Sequence, residues 1–373
     1  MTGLYYAACA FGLEAVVSRE LEQLGIQVEK TQDARVYFRA DETGLALANI
    51  CTRSADRIYM VLSEFPAYTF DELFEGVKAI HFGSIIPSRA GIPVAGDAVK
   101  SSLGSVSDVQ AVTKKAVIES MRRTYGNIVF EESKSAFQVY VSILRDMVTV
   151  SLNTSGAGLN RRGYRVKTST APLKETLAAS LLQIARWYAH PLYDPMCGSG
   201  TIAVEAAMMA RNMMPGASRN FDAQHFGVEF KRAFDREKQR AQAGVRKSGV
   251  QIFASDIDKD QVELARFHAE RAGVLQDIRF ARADVRDFKP ETESACIVTN
   301  PPYAQRMGEQ QEVDKLYRLM GKVFFGRADS KVFVLTADDA FESKFGRRAD
   351  KKRKLYNGSI RCTFYQYFKK QND

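Results

Sequence analysis

Residues 194–205 read Asp-Pro-Met-Cys-Gly-Ser-Gly-Thr-Ile-Ala-Val-Glu and form a junction around which the rest of the chain is organised. The apolar pair Leu192 and Tyr193 before it predicts a strand, and the alanine-rich run at its end predicts a helix. Gly198 and Gly200 permit positive φ and carry no Cβ, so a ligand can lie against the N–H groups that begin the helix. No Gly-Lys-Ser/Thr follows, which excludes a Walker loop, and the spacing is not that of G-x-G-x-x-G. We therefore predict a ligand-binding loop between a strand and a helix, with an ordinary glycine-rich turn as the alternative.

A second motif begins about a hundred residues later, where the apolar run 295–299 ends in Asn300-Pro301-Pro302-Tyr303. The two prolines stop the strand and stiffen the turn, which fixes an amide oxygen, a backbone carbonyl and an aromatic ring at the carboxyl end of the strand. On its own such a tetrapeptide is more often a turn than a site. Its position after the glycine loop in one α/β pattern favours a site.

Strands that end in a polar residue recur through the second half of the chain. Residues 251–255 are followed by Asp256, and residues 278–283 are followed by Asp284. Helical patterns separate these strands, which is typical of a doubly wound parallel sheet with ligands at the carboxyl ends of its strands. Two further strand patterns around Asn357-Gly358 predict a final antiparallel hairpin with a type I′ turn. The predicted fold class is α/β.

The first half of the chain mixes short strand and helix patterns. Residues 1–65 predict a small ferredoxin-like α+β region, and residues 66–155 predict a second α+β unit with a long basic helix. Residues 156–169 are rich in glycine and arginine and predict a linker. Residues 170–373 contain both motifs. Within them, the charged segment 219–247 is an insertion whose role the pattern does not indicate.

Composition limits the class of protein. The 373 residues are 45% hydrophobic and 26% charged, which is ordinary for a globular protein of two or three domains. We find no apolar stretch of about 18 residues and no signal peptide, so we expect a cytoplasmic protein without a membrane span. Five scattered cysteines and four histidines without ligand spacing predict neither disulfides nor a metal site. The net charge of +9 favours a polyanionic partner, although many enzymes share such a balance.

Three stretches carry a resemblance to a known family. They are 159–165 (Leu-Asn-Arg-Arg-Gly-Tyr-Arg), 171–178 (Ala-Pro-Leu-Lys-Glu-Thr-Leu-Ala) and the glycine loop, which the Asn-Pro-Pro-Tyr motif follows. Together they resemble the THUMP-containing class I S-adenosylmethionine-dependent RNA methyltransferases, most closely the 23S rRNA guanine-N2 methyltransferases. The resemblance implies a Rossmann-like methyltransferase domain at 170–373, a THUMP-like RNA-binding domain at 66–155 and S-adenosylmethionine as cofactor. It is strong over the second half of the chain and looser over the first.

The resemblance also implies roles for residues at the strand ends. Asp194 and the glycine loop suit the methionine part of the cofactor, Asp256 suits the ribose and Asp284 suits the adenine amine. A helix cap or surface acid is the alternative for the last two. The predicted cofactor-binding residues are Asp194, Pro195, Met196, Cys197, Gly198, Ser199, Gly200, Thr201, Asp256, Ile257, Asp284 and Val285. The predicted catalytic residues are Asn300, Pro301, Pro302 and Tyr303, which accept the target amine and stack on its base.

Basic residues outside this pocket are candidates for contact with RNA. Phosphates attract lysine and arginine, and a tyrosine between arginines can stack on a base. The predicted RNA-binding residues are Lys114, Lys115, Arg161, Arg162, Tyr164, Arg165, Lys351, Lys352 and Arg353. A solvated charged face or linker is the alternative for each of them.

The predicted activity is methyl transfer to the exocyclic amine of a base, first of all N2 of guanine in 23S rRNA. Guanine-N2 enzymes that act on tRNA and adenine-N6 enzymes that act on RNA or DNA use the same pocket elements, so both remain alternatives. A third alternative belongs to another class: a non-catalytic RNA-binding or ribosome-assembly protein on a methyltransferase scaffold. Since the amine loses its proton after transfer, no strong base is required, and the shortage of histidines agrees with the enzymatic prediction.

Overall fold

A seven-stranded sheet organises the N-terminal half. The structure, a computed structural model, describes residues 2–126, 137–165, 173–188, 190–303, 310–325 and 329–368. The elements of this half are β1 (Gly3–Ala8), α1 (Glu14–Gln23), β2 (Gln27–Gln32), β3 (Arg35–Ala40), α2 (Glu42–Cys51), β4 (Arg57–Pro66), α3 (Phe70–Lys78), β5 (Val94–Val99), α4 (Val106–Tyr125), β6 (Val139–Leu144) and β7 (Met147–Asn153). The strand order is β2-β3-β1-β4-β7-β6-β5.

Strand β4 joins the two N-terminal regions into this one sheet. It pairs with β1 on one side and with β7 on the other, both antiparallel. A row of tyrosine rings crosses the sheet at the same place. The ring centroid of Tyr6 lies 5.5 Å from that of Tyr37 and 4.9 Å from that of Tyr59, and the centroids of Tyr59 and Tyr140 are 5.0 Å apart. Such cross-strand aromatic pairs stabilise neighbouring strands. The ferredoxin-like region and the region that follows it are therefore continuous through hydrogen bonds and ring contacts.

The second half folds around another seven-stranded sheet. Its elements are α5 (Glu175–Ile184), β8 (Leu192–Asp194), α6 (Thr201–Ala210), α7 (Val228–Ala243), β9 (Ile252–Asp256), α8 (Lys259–Arg271), β10 (Ile278–Arg282), β11 (Ser294–Thr299), α9 (Gln310–Val323), β12 (Asp329–Thr336), α10 (Phe341–Phe345), β13 (Lys351–Asn357) and β14 (Ile360–Tyr367). The strand order is β10-β9-β8-β11-β12-β14-β13, with β8 to β12 parallel and the last hairpin antiparallel. The predicted α/β fold, a doubly wound sheet with a terminal hairpin, is confirmed.

Strand β11 shows why the central strands read as unbroken apolar runs. Cys296 and Val298 face the core that α5, α6 and α8 cover, and Ile297 faces the core on the side of α9 and α10. Helices thus cover both faces of the sheet, and alternation of apolar and polar residues disappears. The carboxyl ends of the parallel strands meet at one edge, which places the two sequence motifs side by side. No helix of the described segments is long and apolar enough to cross a membrane.

The final hairpin forms where the sequence predicts it, but its turn is not of the predicted type I′. Asn357 pairs with Ile360, so the two loop residues are Gly358 and Ser359. Gly358 occupies the first loop position with φ of 65°, where a type II′ turn carries glycine. The asparagine that suggested a type I′ turn belongs instead to the end of β13.

The insertion 219–247 connects the two halves. Its helix α7 buries Phe234 completely and lies against α2 of the first half. Across this contact, Arg236 Nη2 donates a hydrogen bond of 2.7 Å to Thr43 Oγ1. Ahead of the helix, Gly216 N–H donates to the Ile50 carbonyl at 2.9 Å. The insertion therefore holds the second half of the chain against α2 of the first half.

Arg162 of the predicted linker is buried, although the sequence predicted that it contacts RNA. The Arg162 side chain is 1% exposed, and its Nε lies 3.4 Å from the fully buried Oε1 of Glu205 on α6. Its two terminal nitrogens donate to the carbonyls of Leu159 and Arg53 at 2.6 and 2.5 Å. The prediction that Arg162 binds RNA is corrected, because its guanidinium is used inside the protein.

Tyr164 and Arg165 are corrected for the same reason. Tyr164 is 3% exposed and its hydroxyl donates to Glu205 Oε1 at 3.2 Å, so its ring is not free to stack on a base. The Arg165 side chain is 10% exposed and lies 3.5 Å from Glu175. It also donates to Thr201 Oγ1 at 2.5 Å, at the start of the helix that follows the glycine loop. The linker thus fastens the first half of the chain to α6.

Candidate active site

A cavity of about 670 Å³ opens at the carboxyl ends of β8 to β11. Both sequence motifs line it: Pro195, Met196 and Gly198 come from the glycine loop, and Asn300 and Pro302 come from the proline-stiffened turn. The remaining wall comes from the ends of β9 and β10 and from one side of α9. The cavity therefore unites two stretches that are about a hundred residues apart in the sequence, as the order of parallel strands predicts.

Asp194 joins the two motifs; it does not line this cavity but a smaller one of about 210 Å³, with which the first shares Pro195, Asp284 and Val285. It is 2% exposed, and its Oδ1 accepts a hydrogen bond of 2.8 Å from the Thr299 hydroxyl, directly before Asn300. Burial raises the pKa of Asp194 to about 7; the Thr299 hydrogen bond opposes this shift, and the negative charge of Asp256 adds to it. A positively charged ligand nearby would favour the ionised carboxylate.

Asp256 holds the glycine loop from the neighbouring strand. Its Oδ2 accepts the Gly198 N–H at 2.9 Å, and its Oδ1 accepts the Asp258 N–H at 3.0 Å. The Cys197 N–H donates to the Ser255 carbonyl at 2.9 Å. The end of β9 therefore fixes the loop at two points, and Asp256 lines the cavity while it does so.

Asp284 lines the same cavity and also caps a short turn. Its Oδ1 accepts the backbone N–H of Arg286 at 2.8 Å, and its Oδ2 accepts two guanidinium bonds from that residue at 2.9 and 2.6 Å. These hydrogen bonds from Arg286 lower the pKa of Asp284. Ile257, 59% exposed, and the buried Val285 supply apolar surface on either side. This corner combines one anionic group with apolar walls.

Asn300 presents an acceptor without a partner among the described residues. Its Oδ1 is shielded from solvent, receives no hydrogen bond from the described part of the chain and belongs to a residue that lines the cavity. A buried acceptor in this condition is costly unless a ligand or water donates to it. Next to it, Pro302 is exposed, and Tyr303 is half-buried with a pKa raised by that burial.

Two positioning residues escaped sequence reasoning. Tyr317 on α9 donates to the Pro302 carbonyl at 3.1 Å, and its hydroxyl lies 2.8 Å from the Thr336 hydroxyl. His268 on α8 is fully buried, and its Nδ1 lies 3.0 Å from the Ser199 carbonyl of the glycine loop, where it is the donor. Both residues are fully buried on the apolar faces of their helices. A polar atom on such a face is the signal that could have identified them.

The two loop glycines differ in the space around them, which gives a testable prediction. A Cβ on Gly200, at φ of 80°, would lie 2.8 Å from the Ala265 Cβ, whereas a Cβ on Gly198 would meet nothing closer than Gln261 Oε1 at 4.0 Å. An alanine at position 200 would be strained in this left-handed backbone conformation and would also overpack against Ala265. We therefore predict that Gly200→Ala costs about 2–4 kcal/mol of unfolding free energy. Gly198→Ala carries the strain alone and should cost about 1–2 kcal/mol. Urea unfolding of both variants measures the difference; equal losses would contradict the assigned role of Ala265.

Comparisons with known proteins match three separate regions of the chain to three domain families. Residues 162–366 match the family model of the RMKL-like methyltransferase domain, residues 5–59 match the RlmL ferredoxin-like domain and residues 67–153 match the THUMP domain. The chain belongs to the RMKL-like methyltransferase family. Its second half is accordingly a class I methyltransferase domain, for which S-adenosylmethionine is the methyl donor.

Three relatives illustrate the extent of the similarity. The Bacillus subtilis (strain 168) protein named "Putative RNA methyltransferase YpsC" is 41% identical over 98% of this chain and 95% of its own length. "Ribosomal RNA large subunit methyltransferase K/L" of Shewanella baltica (strain OS155) is 33% identical over 97% of this chain, which spans 52% of that protein. The crystal structure of SMU.472, "a putative methyltransferase complexed with SAH", is 35% identical with a TM-score of 0.91, covering 100% of this chain and 99% of its own.

The other predicted RNA-binding residues lie at the surface. Lys115, Arg161, Lys351 and Lys352 are exposed, while Lys114 and Arg353 are partly buried. Some are already engaged: Lys114 donates to the Ile92 carbonyl at 2.6 Å, and Lys352 pairs with Glu342 at 2.7 Å. Engagement of this kind is compatible with contact to a phosphate, so these six residues stay candidates for an RNA surface.

Proposed function

We propose that this chain transfers a methyl group from S-adenosylmethionine to the exocyclic amine of an RNA base, most specifically N2 of guanine in 23S rRNA. The observation that carries the proposal is the Oδ1 of Asn300, which has no partner among the described residues and belongs to a side chain that lines the same cavity as the glycine loop. The THUMP region and the names of the RNA methyltransferase relatives support RNA as the substrate. The choice of large-subunit rRNA as substrate comes from the names of the K/L relatives. The chain spans about half the length of these relatives.

The cavity-lining residues, together with Asp194 and the rest of the glycine loop, fit the chemical parts of the cofactor. We assign the methionine part to Asp194 and to the glycine loop, Pro195 to Thr201. We assign the ribose to Asp256 with Ile257, and the adenine to Asp284 with Val285. When bound, S-adenosylmethionine supplies an electrophilic methyl group on a sulfonium. The buried carboxylate of Asp194 favours the positive charges of this ligand, and the glycines leave the backbone accessible to it.

The second motif positions the target amine. Its lone pair is delocalised into the base, which makes the nitrogen a poor nucleophile. If Asn300 Oδ1 and the Pro301 carbonyl accept its two N–H bonds, the nitrogen can pyramidalise and direct its lone pair towards the methyl group. Tyr303 stacks on the base, which is worth about 1–3 kcal/mol. A base in a helix has to be flipped out or unpaired to reach this position.

The raised pKa of Asp194 predicts a pH dependence of cofactor binding. In the ligand-free protein the carboxyl group is mostly protonated below its pKa of about 7 and mostly ionised above it. Because a cationic ligand favours the ionised form, affinity for S-adenosylmethionine should rise by about tenfold from pH 6 to pH 8. The same shift makes the ligand-free fold lose stability as pH rises from about 4 to 7, where only the unfolded chain releases this proton.

Titration calorimetry at both pH values measures the effect, with Asp194→Asn as the matched variant. This variant should bind more weakly and show little change in affinity between pH 6 and pH 8. If it keeps the full dependence, another group is responsible and the assignment of Asp194 is wrong.

Nucleoside mass spectrometry tests the proposed reaction. Ribosomal and transfer RNA from cells with and without the gene are digested and compared for N2-methylguanosine and N6-methyladenosine. Loss of N2-methylguanosine from 23S rRNA alone supports the proposal. Loss from tRNA, or loss of a methylated adenine, would select one of the alternatives, because both target amines fit an Asn-Pro-Pro-Tyr site. Unchanged nucleosides, with RNA binding retained, would favour the non-catalytic binding protein.

A further inference from the structure

Phe11 is a large apolar side chain held outward at the surface. It is 47% exposed and occupies a tight turn between β1 and α1, closed by a hydrogen bond of 3.1 Å from the Leu13 N–H to the Ala10 carbonyl. The next residue, Gly12, has φ of 90°, and a Cβ there would lie 2.5 Å from the Lys354 carbonyl of β13. The turn thus packs closely on the last hairpin, and both halves of the protein fix the position of the exposed ring.

Tyr356 on β13 completes an aromatic pair with Phe11. The ring centroids are 6.0 Å apart and the planes are nearly perpendicular at 83°. Each ring comes from a different half of the chain, and Tyr356 is itself only partly buried. An edge-to-face pair leaves ring surface available for a further planar group.

The surroundings of this pair favour a polyanion. Lys354 precedes the tyrosine by two residues and is exposed. Arg361 lies opposite Tyr356 in the hairpin and is half exposed, with one bond of 2.6 Å to Asp339. The nearest acid of the turn, Glu14, is engaged by the N–H groups of Gly12 and Ala34. Aromatic rings with adjacent basic side chains form the type of surface that binds single-stranded nucleic acid.

The hairpin connects this pair to the catalytic motif. Asn357, the residue after Tyr356, is buried, and its side chain interacts with Tyr303 of the Asn-Pro-Pro-Tyr motif, which opposes the rise that burial gives to the pKa of that tyrosine. Neighbouring residues of a strand point to opposite faces, so the end of β13 contacts the catalytic turn on one face and Phe11 on the other. The aromatic pair and the residue proposed to stack on the target base therefore lie on opposite faces of the same strand end, linked through Tyr356 and its chain neighbour Asn357.

We propose that Phe11 and Tyr356 form a stacking platform for an unpaired nucleobase that flanks the target nucleotide. The inference rests on the proposed function, because it takes RNA as the substrate. It assigns to the ferredoxin-like region a direct part in holding the RNA beside the active site. A target base that is flipped out leaves its neighbours partly unstacked, and the platform offers one of them a new partner.

Variants of Phe11 separate stacking from simple packing between the two halves. Phe11→Ala removes both, Phe11→Leu keeps an apolar side chain without a ring, and Phe11→Tyr keeps the ring. We expect alanine and leucine each to raise the KM for an unmethylated large-subunit rRNA transcript by about tenfold, the loss of one base stack. Tyrosine should remain within about twofold of the wild type. The turnover number and S-adenosylmethionine binding by calorimetry should not change.

Tyr188→Ala is the matched control, since Tyr188 is 75% exposed and belongs to neither motif. An unchanged KM in Phe11→Ala overturns the platform, as does a leucine variant that recovers both RNA affinity and thermal stability. Filter binding of the same transcript keeps this test independent of catalysis. If the wild type binds the transcript without methylating it, the proposed function fails, while equal affinities of wild type and Phe11→Ala would overturn the platform separately.

Discussion

Replacement of Asn300 by alanine is expected to lower the turnover number for methyl transfer by about 100-fold or more while cofactor binding persists. The reason is Oδ1, a shielded acceptor without a partner among the described residues, on a side chain that lines the same cavity as the glycine loop. The substitution removes a preorganised acceptor and leaves Asp194 and the loop in place. Single-turnover methyl transfer from labelled S-adenosylmethionine, with calorimetry of the same preparation, measures both quantities.

Asn300→Asp is the informative companion to this variant. It keeps an acceptor oxygen at the same site, so we expect its turnover to lie between those of alanine and the wild type. If alanine turns over as fast as the wild type, Asn300 has no part in the reaction. If alanine instead abolishes cofactor binding, the residue shapes the cofactor site, and the proposed division of labour between the two motifs is wrong.

Replacement of Arg162 by alanine is expected to cost about 3–5 kcal/mol of unfolding free energy, because it leaves the Glu205 carboxylate buried without its cation. Glu205 is fully buried, and among the described residues Arg162 and the Tyr164 hydroxyl are the two that hydrogen-bond to its Oε1. The carbonyls of Arg53 and Leu159 lose a donor at the same time. Urea unfolding followed by circular dichroism measures the loss.

The adjacent Arg161 provides the control, since it is exposed and its replacement by alanine should change stability by less than about 0.5 kcal/mol. The double variant Arg162→Met with Glu205→Gln removes both charges and should recover part of the stability lost in the single variant. RNA affinity is expected to show the opposite pattern, weakened in Arg161→Ala and retained in any folded Arg162 variant. A stable Arg162→Ala protein with poor RNA binding would restore the original sequence prediction.

The contrast between these arginines shows what the sequence could and could not predict. The strand ends, the glycine loop and the Asn-Pro-Pro-Tyr turn are local patterns, and the order of parallel strands brings them together. The burial of Arg162 depends on Glu205, which lies 43 positions away on α6. Sequence spacing carries no information about that pairing, so a basic run at a domain boundary resembled a solvated or RNA-binding segment.

The positioning residues were missed for a related reason. His268 and Tyr317 occupy the apolar stripes of α8 and α9, and their polar atoms meet backbone carbonyls of loops that are distant in sequence. Hydrophobic periodicity identifies the buried face of a helix but not the hydrogen bonds made from it. The type II′ turn at Gly358 likewise depends on the register of the hairpin. Asn357 pairs with Ile360, so Gly358 and Ser359 form the loop.

The shared strand β4 has a consequence for how such proteins can be rearranged in evolution. Because β4 hydrogen-bonds to β1 on one side and to β7 on the other, separating the two N-terminal regions would expose unpaired strand edges on both fragments. Recombination that transplants the THUMP region alone would create an aggregation-prone partner. We therefore expect the ferredoxin-like and THUMP regions of this family to be inherited and exchanged together, as a single cassette.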